Sequence, residues 1–423
     1  MISCSPSAWE ETLQLSAGSN LHPGEFTIHT YEEAIIYTPH TALIGTTNLR
    51  ESFLLDPGII YLNHGSFGAC PRPVFEAYQE WQRTLERQPV KFMQRREPLL
   101  REAREALGAY LHADADDLVY VTNVSLGLNV IARSLPLAPG DEVLTTDHEY
   151  GSMNRMWEWV CEKRGARYVR RPVPLPIGSV QEAIEAIWSG VTEHTRVLYL
   201  SHITSPTALI LPVEALVRRA REAGILTVVD GAHAPGQVPV DLEALGADFY
   251  GGNCHKWMNA PKGAGFFYAG RSVQPLLEPL IGGRMDGNGA RSPLVGEHEY
   301  QGTRDYAAFL AVPAAIQFMA KHDWPAVQHT CHELVRYARD ELAARTGLPP
   351  ICPDDSAWFA QMAVLPIPPC DGDALYHRLW DQHAIEIPIC NWNGQQFLRL
   401  SVQAYNTKED IDALIQAVEE FLA

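Results

Sequence analysis

The sequence predicts an α/β protein with a mostly parallel sheet and a smaller α+β domain at its C-terminal end. Between residues 117 and 230, apolar β-branched runs alternate with amphipathic helical runs, an order typical of parallel sheets. After residue 311, two helical runs lead to a strand that begins at Gln396 and to a final helix. A chain of 423 residues also exceeds the usual size of one hydrophobic core. We therefore predict an extension over residues 1–48, a large domain over 49–310 and a small domain over 311–423.

The composition excludes some classes of partner. The net charge of −18 and the lack of a Lys/Arg cluster flanked by aromatic residues argue against nucleic acid. The eight cysteines form no C-x-x-C pair, which is typical of free thiols in a reducing compartment. We find neither a secretory signal, since the first basic residue is Arg50, nor an apolar stretch long enough to cross a bilayer. We therefore expect a cytoplasmic protein without a membrane partner.

The first predicted elements are a short strand and two helices. The extension is rich in Ser, Thr, Gly and His and lacks periodicity, so we expect it to be partly disordered. Residues 58–68 form a short strand and a turn rich in glycine, where His64 and Ser66 are placed to face a pocket. Helices follow from Val74 to about Glu86 and over about 97–111, where apolar residues recur at helical spacing.

A strand that runs directly into a helix forms a candidate anion site. Residues 117–122 are the strand, and Asn123, Val124 and Ser125 open the helix at once. Backbone N–H groups at a helix start attract anions, and the Ser125 hydroxyl adds a further donor. We therefore expect this turn to bind an anionic group.

Polar side chains gather at the ends of the next predicted strands. A strand at 142–146 precedes a loop at 147–151, and residues 195–230 form a βαβ unit whose helix spans 212–223. Ligands of parallel sheets bind at the carboxyl ends of the strands. The side chains expected at this edge are His202, Asp230, His233 and Lys256.

Lys256 is the candidate reactive group. It closes the stretch from Asp248 to Trp257, after an apolar strand and small residues, where burial can lower the pKa of an amine. Asp230 adds a carboxylate at the end of a buried strand. Pyridoxal phosphate requires a Schiff-base lysine, an acidic partner for its pyridinium nitrogen and donors for its phosphate. The sequence therefore predicts a pyridoxal phosphate site.

From Leu49 to the C-terminus, the chain resembles the class V aminotransferase family, whose members include cysteine desulfurases, kynureninases and isopenicillin N epimerases. The segments Tyr61-Leu-Asn-His-Gly-Ser-Phe-Gly and Ile385-Glu-Ile-Pro look most like the epimerase branch. The resemblance implies the PLP-dependent transferase fold type I, with a mostly parallel seven-stranded sheet and a smaller α+β domain. It also implies pyridoxal 5'-phosphate as the cofactor and an amino-acid substrate.

The resemblance implies roles for the cofactor-binding residues. Lys256 matches the Schiff-base lysine, Asp230 the partner of the ring nitrogen, and His233 the group that hydrogen-bonds the phenolic oxygen. Val124, through its N–H, and Ser125 match the phosphate-binding turn. Further cofactor contacts are expected from Tyr150, which would stack on the ring with His148 as second choice, and from Asn253, His255 and Thr303.

The resemblance also implies a substrate site and a dimer. Arg399 matches the arginine that binds the substrate α-carboxylate, and His64 and Ser66 are expected nearby. Thr303 matches a residue that reaches the phosphate of the neighbouring subunit, so we expect a homodimer with composite sites. Ser205 stands where the family often carries an Asn that contacts the cofactor oxygen.

The reaction after removal of the Cα proton is left open by the residues, because fold and cofactor do not fix it. The epimerase-like segments favour epimerisation, with Tyr150 or His64 as the proton donor opposite Lys256. The alternatives are β-elimination of the C–S lyase or desulfurase type, and transamination. A desulfurase needs a nucleophilic cysteine on a loop. Cys390 lies in the right region, but too close to Arg399 and in an apolar run that would raise its pKa.

Two hypotheses place the protein in other functional classes. A metal hydrolase could use histidines near strand ends, but none has a close H-x-x-x-H type partner; they are His148, His202, His233 and His255. A non-catalytic binding protein on the same fold would not need both Lys256 and Asp230. We therefore expect an enzyme without a metal site.

Overall fold

A seven-stranded sheet forms the centre of the chain. The computed structural model describes residues 49–282 and 292–422. The strands are β1 (Ile60–Tyr61), β2 (Leu118–Val121), β3 (Glu142–Thr146), β4 (Arg167–Arg171), β5 (Thr195–Ser201), β6 (Leu226–Gly231), β7 (Phe249–Asn253), β8 (Gly265–Ala269), β9 (Met362–Ile367), β10 (Ile385–Glu386), β11 (Ile389–Trp392) and β12 (Gln395–Ser401).

Helices alternate with the strands of this sheet along the chain and continue into the C-terminal part. They are α1 (His64–Phe67), α2 (Arg72–Arg87), α3 (Pro89–Gln94), α4 (Arg96–Leu111), α5 (Val124–Ser134), α6 (Gly151–Arg164), α7 (Val180–Trp188), α8 (Val213–Glu222), α9 (Leu242–Leu245), α10 (Pro293–His298), α11 (Ala307–Leu310), α12 (Val312–Lys321), α13 (Trp324–Thr346), α14 (Gly372–His383) and α15 (Lys408–Leu422). Short 3-10 helices span Arg50–Ser52, Ala115–Asp117 and Gln274–Leu276.

The order of the large sheet is β2-β8-β7-β6-β5-β3-β4. Neighbouring strands from β7 to β4 are parallel, whereas β8 is antiparallel to both β2 and β7. Every residue of β2, β3 and β7 is buried, as expected for strands covered on both faces. The predicted α/β fold with a mostly parallel seven-stranded sheet is confirmed.

A second, antiparallel sheet has the order β11-β12-β9. Helix α13 packs against β9, and α14 and α15 pack against each other. The short strand β1 pairs in parallel with β10, so Ile60 lies beside Ile385, and Ser401 N donates to Leu62 O at 3.0 Å. This pairing brings the segment after β1 next to the end of β12.

The element boundaries differ little from the predicted ones. Residues His64–Phe67 form one helical turn where we predicted a glycine-rich turn. The extension over 1–48 and the core of the glycine-rich segment at 283–291 lie outside the described residues. All described residues belong to one compact unit, and a domain boundary near residue 310 stays a prediction. Among the described helices, none combines the length and the apolar character needed to span a bilayer.

Candidate active site

A cavity of about 360 Å³ opens at the carboxyl ends of β5, β6 and β7. The register of these strands places Ser201 beside Asp230, and Asp230 beside Gly251. The predicted site residues that line the cavity are Ser66, Val124, Ser125, Tyr150, Asp230, His233, Asn253, His255, Lys256 and Arg399. His64 and Thr303 are not among the lining residues. The structure thus brings most of the predicted residues together at the edge of the sheet where ligands are expected.

Lys256 lies in the turn that follows β7, with its side chain partly buried. Its Nζ is 3.2 Å from His233 Nε2. Burial lowers the pKa of Lys256 to about 8, and the positive charge of Arg399 acts in the same direction, whereas Asp230 opposes it. A larger share of this amine is therefore neutral near pH 7 than for an ordinary lysine, as a nucleophilic lysine requires.

Gly68 allows the turn that carries Lys256 to approach α1. Its φ is +70°, and a Cβ there would lie 2.1 Å from the His255 carbonyl oxygen. Lys262 Nζ donates to Gly68 O at 2.8 Å and links the two segments. A side chain at position 68 would therefore push the reactive turn away.

Asp230 is 2% exposed near the end of β6. Tyr199 Oη donates to Asp230 Oδ2 at 3.1 Å, and Ala232 N donates to Oδ1 at 2.9 Å. Burial raises the pKa of Asp230, while these hydrogen bonds and Lys256 act against the rise. A buried carboxylate held by two donors is suited to pair with a cationic ring nitrogen in the cavity.

His233 is buried between Lys256 and Trp257. Its Nδ1 accepts from Trp257 Nε1 at 3.2 Å, and its Nε2 faces Lys256 Nζ. Burial, followed by the positive charges of Lys256 and Arg399, holds the pKa of His233 well below its usual value. The imidazole is therefore neutral at physiological pH.

The start of α5 offers donors for an anion. Asn123 caps the helix by accepting from Leu126 N, and Val124 N donates to Asn253 Oδ1 at 2.9 Å. Within residues 49–282 and 292–422, neither the N–H nor the hydroxyl of Ser125 has a hydrogen-bond partner. Ser125 is therefore the open donor of this turn, and the Val124 N–H becomes available to an anion only if Asn253 moves.

His255 lies beside the same end of the cavity. Its Nδ1 donates to Ala264 O at 3.0 Å, which leaves Nε2 without a proton in the neutral ring. Burial, and then the charges of Lys256 and Lys262, lower the pKa of His255 to about 4. A bound dianion would oppose this effect by favouring the protonated ring.

Arg399 lies in the middle of β12 and is 8% exposed. Its Nη1 donates to Ser205 O at 2.9 Å and to Ser205 Oγ at 3.1 Å, and its Nη2 donates to Ser66 Oγ at 2.8 Å. In the described part of the chain, these partners are neutral and Nε has none. A buried guanidinium without a carboxylate partner is suited to bind an anionic substrate group.

The loop after β3 carries both candidates for ring stacking, and only one of them lines the cavity. Tyr150 is 46% exposed and lines the cavity. His148 is fully buried, contacts Thr207 Oγ1 and Val173 O, and packs on the Trp392 ring at 4.2 Å between centroids. Tyr150, our first choice, is therefore the one placed at the cavity.

His64 and Thr303 lie apart from the cavity lining. His64 is fully buried, its Nδ1 is 3.0 Å from Tyr405 Oη, and its Nε2 is 3.0 Å from Lys256 O. This arrangement holds the Lys256 backbone and keeps His64 out of the cavity lining, whereas Tyr150 belongs to it. Thr303 is exposed on this chain, and its predicted contact with a neighbouring subunit stays a prediction.

Sequence reasoning missed the contacts of Tyr199, Trp257 and Glu149. Glu149 is buried, and its carboxylate accepts from Thr146 Oγ1 at 2.8 Å and from Ser201 N at 3.0 Å. Polar aromatic residues within apolar runs were a usable signal, because a buried Tyr or Trp usually needs a partner for its O–H or N–H. The partner itself depends on strand register, which the sequence does not show.

Cys390 is held in a strand and not on a long loop. It lies in β11 opposite Phe397, and β11 joins β12 through the two residues Asn393 and Gly394, with φ of 46° and 77°. Trp392 Nε1 donates to Asp147 O at 3.0 Å. Burial raises the pKa of the Cys390 thiol. This short hairpin does not provide the mobile thiolate that a desulfurase needs.

The histidines considered for a metal hydrolase have separate partners. His148 contacts Thr207, His202 Nδ1 is 3.0 Å from Tyr250 Oη, and His255 contacts Ala264. No group of three or more His, Cys, Asp or Glu side chains suited to a metal ion occurs among the residues that the structure describes.

The side chains that line the cavity are chemically suited to bind pyridoxal phosphate. It combines a lysine with a lowered pKa, a buried carboxylate, and an open N–H and hydroxyl at the start of a helix of 11 residues. These are the three groups that the cofactor requires. Arg399 adds a buried guanidinium whose partners Ser205 and Ser66 are neutral.

Comparisons with known proteins agree with this chemistry. The chain is 38% identical over 390 residues to isopenicillin N epimerase of Amycolatopsis lactamdurans, covering 88% of this chain and 98% of that protein. It is 29% identical over 417 residues to a probable chloroplastic L-cysteine desulfhydrase of Arabidopsis thaliana, covering 90% and 86%.

A solved structure shares the fold. A C-DES mutant with glycine covalently linked to its PLP cofactor superposes with a TM-score of 0.75 at 21% identity, covering 88% of this chain and 99% of that one. A family model described as aminotransferase class-V matches residues 60–414. The chain is therefore a pyridoxal 5'-phosphate-dependent enzyme that belongs to the class V aminotransferase family.

Proposed function

We propose that the chain is an epimerase that inverts Cα of an amino acid or of a substrate containing one. The observation that carries the proposal is the 38% identity to an isopenicillin N epimerase along nearly its whole length. Fold and cofactor alone would not select this reaction, because they are shared with lyases. The positions of Lys256 and Tyr150 support the choice.

Epimerisation needs proton-transfer groups on two sides of the reacting carbon. Lys256 follows β7 and Tyr150 follows β3, and these strands lie on opposite sides of β6, which carries Asp230. Both residues line the same cavity. Lys256 would remove the Cα proton as a neutral amine, and the Tyr150 hydroxyl would return one from the other side.

The remaining cavity residues would hold the cofactor and the substrate. Bound pyridoxal phosphate supplies an electron sink for the electrons of the Cα–H bond. Asp230 would keep the ring nitrogen protonated, and His233 would contact the phenolic oxygen. Ser125 would bind the phosphate, together with Asn253, His255 and, once Asn253 releases it, the Val124 N–H. Arg399 would orient the α-carboxylate, with Ser66 holding its Nη2.

Solvent isotope exchange tests this proposal. The holoenzyme is incubated in deuterium oxide with single enantiomers of amino acids and amino-acid-containing peptides. We expect deuterium at Cα of both product enantiomers without accumulation of a keto acid. Tyr150→Phe should retain exchange of the starting enantiomer and lose inversion. Release of pyruvate and ammonia in proportion to substrate consumed would contradict epimerisation.

A C–S lyase is the second candidate, because the chain is similar to a probable L-cysteine desulfhydrase over 90% of its length. Such a reaction eliminates a β-substituent after the same proton removal, so the same assay with L-cysteine distinguishes it by sulfide and pyruvate. A desulfurase is disfavoured by the strand position of Cys390. Transamination would instead produce a keto acid and the amine form of the cofactor.

We further propose a homodimer in which Thr303 serves the partner's site. Leu280 and Ile281 are exposed apolar side chains, and they line a surface depression with Arg304 and Asp305, the neighbours of Thr303. Exposed apolar patches of this kind often mark interfaces. Mixing Lys256→Ala with Thr303→Ala chains should restore one intact site per mixed dimer. A fully active monomer in sedimentation would contradict the proposal.

We propose a cytoplasmic location. The seven cysteines within the described residues are free thiols, which suits a reducing compartment. Fractionation of the native host, followed by immunoblotting, tests the location, and recovery of the protein from an organelle or an extracellular fraction would contradict it.

A further inference from the structure

We propose that Trp257 acts as a positioning residue that fixes the tautomer of His233, with the imidazole proton on Nε2, the nitrogen that faces Lys256. The proposal refines the roles given above to His233 and Lys256 and rests on that proposed site. It does not depend on which reaction the enzyme catalyses.

The argument starts from the donor and acceptor chemistry of the two rings. Indole Nε1–H can only donate, and a neutral imidazole carries one proton on one of its two nitrogens. Trp257 Nε1 lies 3.2 Å from His233 Nδ1, so Nδ1 must be the acceptor. The single proton of the neutral ring is therefore on Nε2.

Because both rings are buried, this hydrogen bond determines which nitrogen of His233 carries the proton. Trp257 is 0% exposed and His233 is 2% exposed, so water cannot replace either partner. If the proton moved to Nδ1, two N–H groups would face each other without an acceptor, and leaving a buried hydrogen bond unmade is unfavourable. Burial also keeps the ring neutral by holding the pKa of His233 well below its usual value.

The consequence concerns Lys256, whose Nζ lies 3.2 Å from His233 Nε2. A neutral amine can accept the Nε2–H, whereas an ammonium offers only hydrogens to it. The tautomer fixed by Trp257 therefore favours neutral Lys256. When the cofactor occupies the cavity, the same Nε2–H would be the donor available to its phenolic oxygen.

Other titratable and charged groups act on the same pair, and one of them, His64, also packs on the Trp257 ring at 5.0 Å between centroids. Arg399 on β12 lowers the pKa of Lys256, and Asp230 on β6 raises it. His255 and His64 also face His233 and are themselves held neutral by burial. Phe at position 257 keeps an aromatic ring beside His64 and removes the N–H, so the substitution is directed at the hydrogen bond to His233.

The first test reads the tautomer in the wild-type holoenzyme. The full-length chain is labelled with ¹⁵N-histidine, and the His233 resonances are identified by their loss in His233→Gln. We expect an unprotonated Nδ1 and a protonated Nε2. A proton on Nδ1 would overturn the proposal, and this result does not require any tryptophan variant to fold.

The second test reads the state of Lys256 without turnover. Pyridoxal phosphate is added to cofactor-free full-length chain over a range of pH, and capture is followed by the growth of visible absorbance. Capture requires the neutral amine, so its midpoint should lie near pH 8 in the wild type. In Trp257→Phe, His233 can move its proton to Nδ1 and accept from the ammonium. We expect a higher midpoint and capture about 3- to 10-fold slower at pH 7.

Trp157→Phe is the matched control. Trp157 is equally buried, but its Nε1 has no hydrogen-bond partner among the described residues. This variant should keep the wild-type midpoint. An unchanged midpoint in folded Trp257→Phe would overturn the proposal, and so would an equal shift in both variants. A missing epimerase activity would leave both readouts intact, so the two proposals fail separately.

Discussion

Replacing Arg399 with lysine tests whether its guanidinium orients the substrate as well as binding it. Arg399 is fixed by three hydrogen bonds to Ser205 and Ser66, at 2.8–3.1 Å. A lysine at this position keeps the charge but loses the planar fork that can make two parallel bonds to a carboxylate. We therefore expect Arg399→Lys to raise KM and to lower kcat.

The expected magnitude follows from the burial of the group. Arg399 has neutral partners in the described part of the chain and is almost inaccessible to water, so the substrate carboxylate would be its main anionic partner. Disrupting a buried, hydrogen-bonded charge pair costs about 2–4 kcal/mol. At 1.36 kcal/mol per factor of ten, kcat/KM should fall by about 30- to 900-fold.

The assay is steady-state turnover, with Arg339→Lys as the control. Arg339 is equally buried on α13, and its Nη2 donates to Cys352 O at 2.7 Å, away from the cavity. The control should lose some stability and keep kcat/KM within about twofold, because Arg339 bonds Cys352 O and does not line the cavity. A kcat/KM of Arg399→Lys near that of the wild type would refute the assignment. A change in KM alone would show that Arg399 binds without orienting.

Three further outcomes are expected. Gly68→Ala should lower the free energy of unfolding, measured by urea titration, by more than Gly140→Ala does. Both positions have positive φ, which costs a side chain about 1–2 kcal/mol, but only a Cβ at position 68 meets the His255 carbonyl. Equal losses would show that this close approach is unimportant. Cys390→Ala should keep its turnover, because this buried thiol lies in a strand; loss of turnover would revive the desulfurase alternative. Acetylation of cofactor-free chain at Lys256, followed by mass spectrometry, should increase as the pH rises through about 8, because the pKa is lowered and the neutral amine predominates above it; a midpoint near that of an ordinary lysine would contradict the geometry.

The strand and helix pattern was predictable because burial imposes periodicity on the sequence. The predicted strand at 142–146 coincides with β3, and the predicted helices at 74–86 and 97–111 lie within α2 and α4 with ends shifted by one or two residues. Periodicity carries no information on strand direction, however. The antiparallel direction of β8 and the pairing of β1 with β10 depend on distant contacts that no local pattern encodes.

The site residues were predictable where the residue type and its place at a strand end allow few other roles. A lysine after a strand and an aspartate at the end of another were identified from the sequence, and both line the cavity. His64 was harder, because a histidine after a strand can serve either a cavity or the backbone, and here its ring contacts Lys256 O. Likewise, Val124 N–H is engaged by Asn253, a contact set by how α5 packs on the sheet.

The hairpin of β11 and β12 connects two sides of the cavity that are distant in the sequence. Asp147, three residues before Tyr150, accepts hydrogen bonds from Trp392 Nε1 and Asn393 Nδ2. The next strand of the hairpin, β12, carries Arg399. A recombinant chimera whose hairpin comes from a relative that lacks the side chains of Trp392 and Asn393 would lose these bonds and the support they give to the loop before Tyr150. Segment exchanges intended to alter substrate preference should therefore transfer residues 147–150 and 389–401 together.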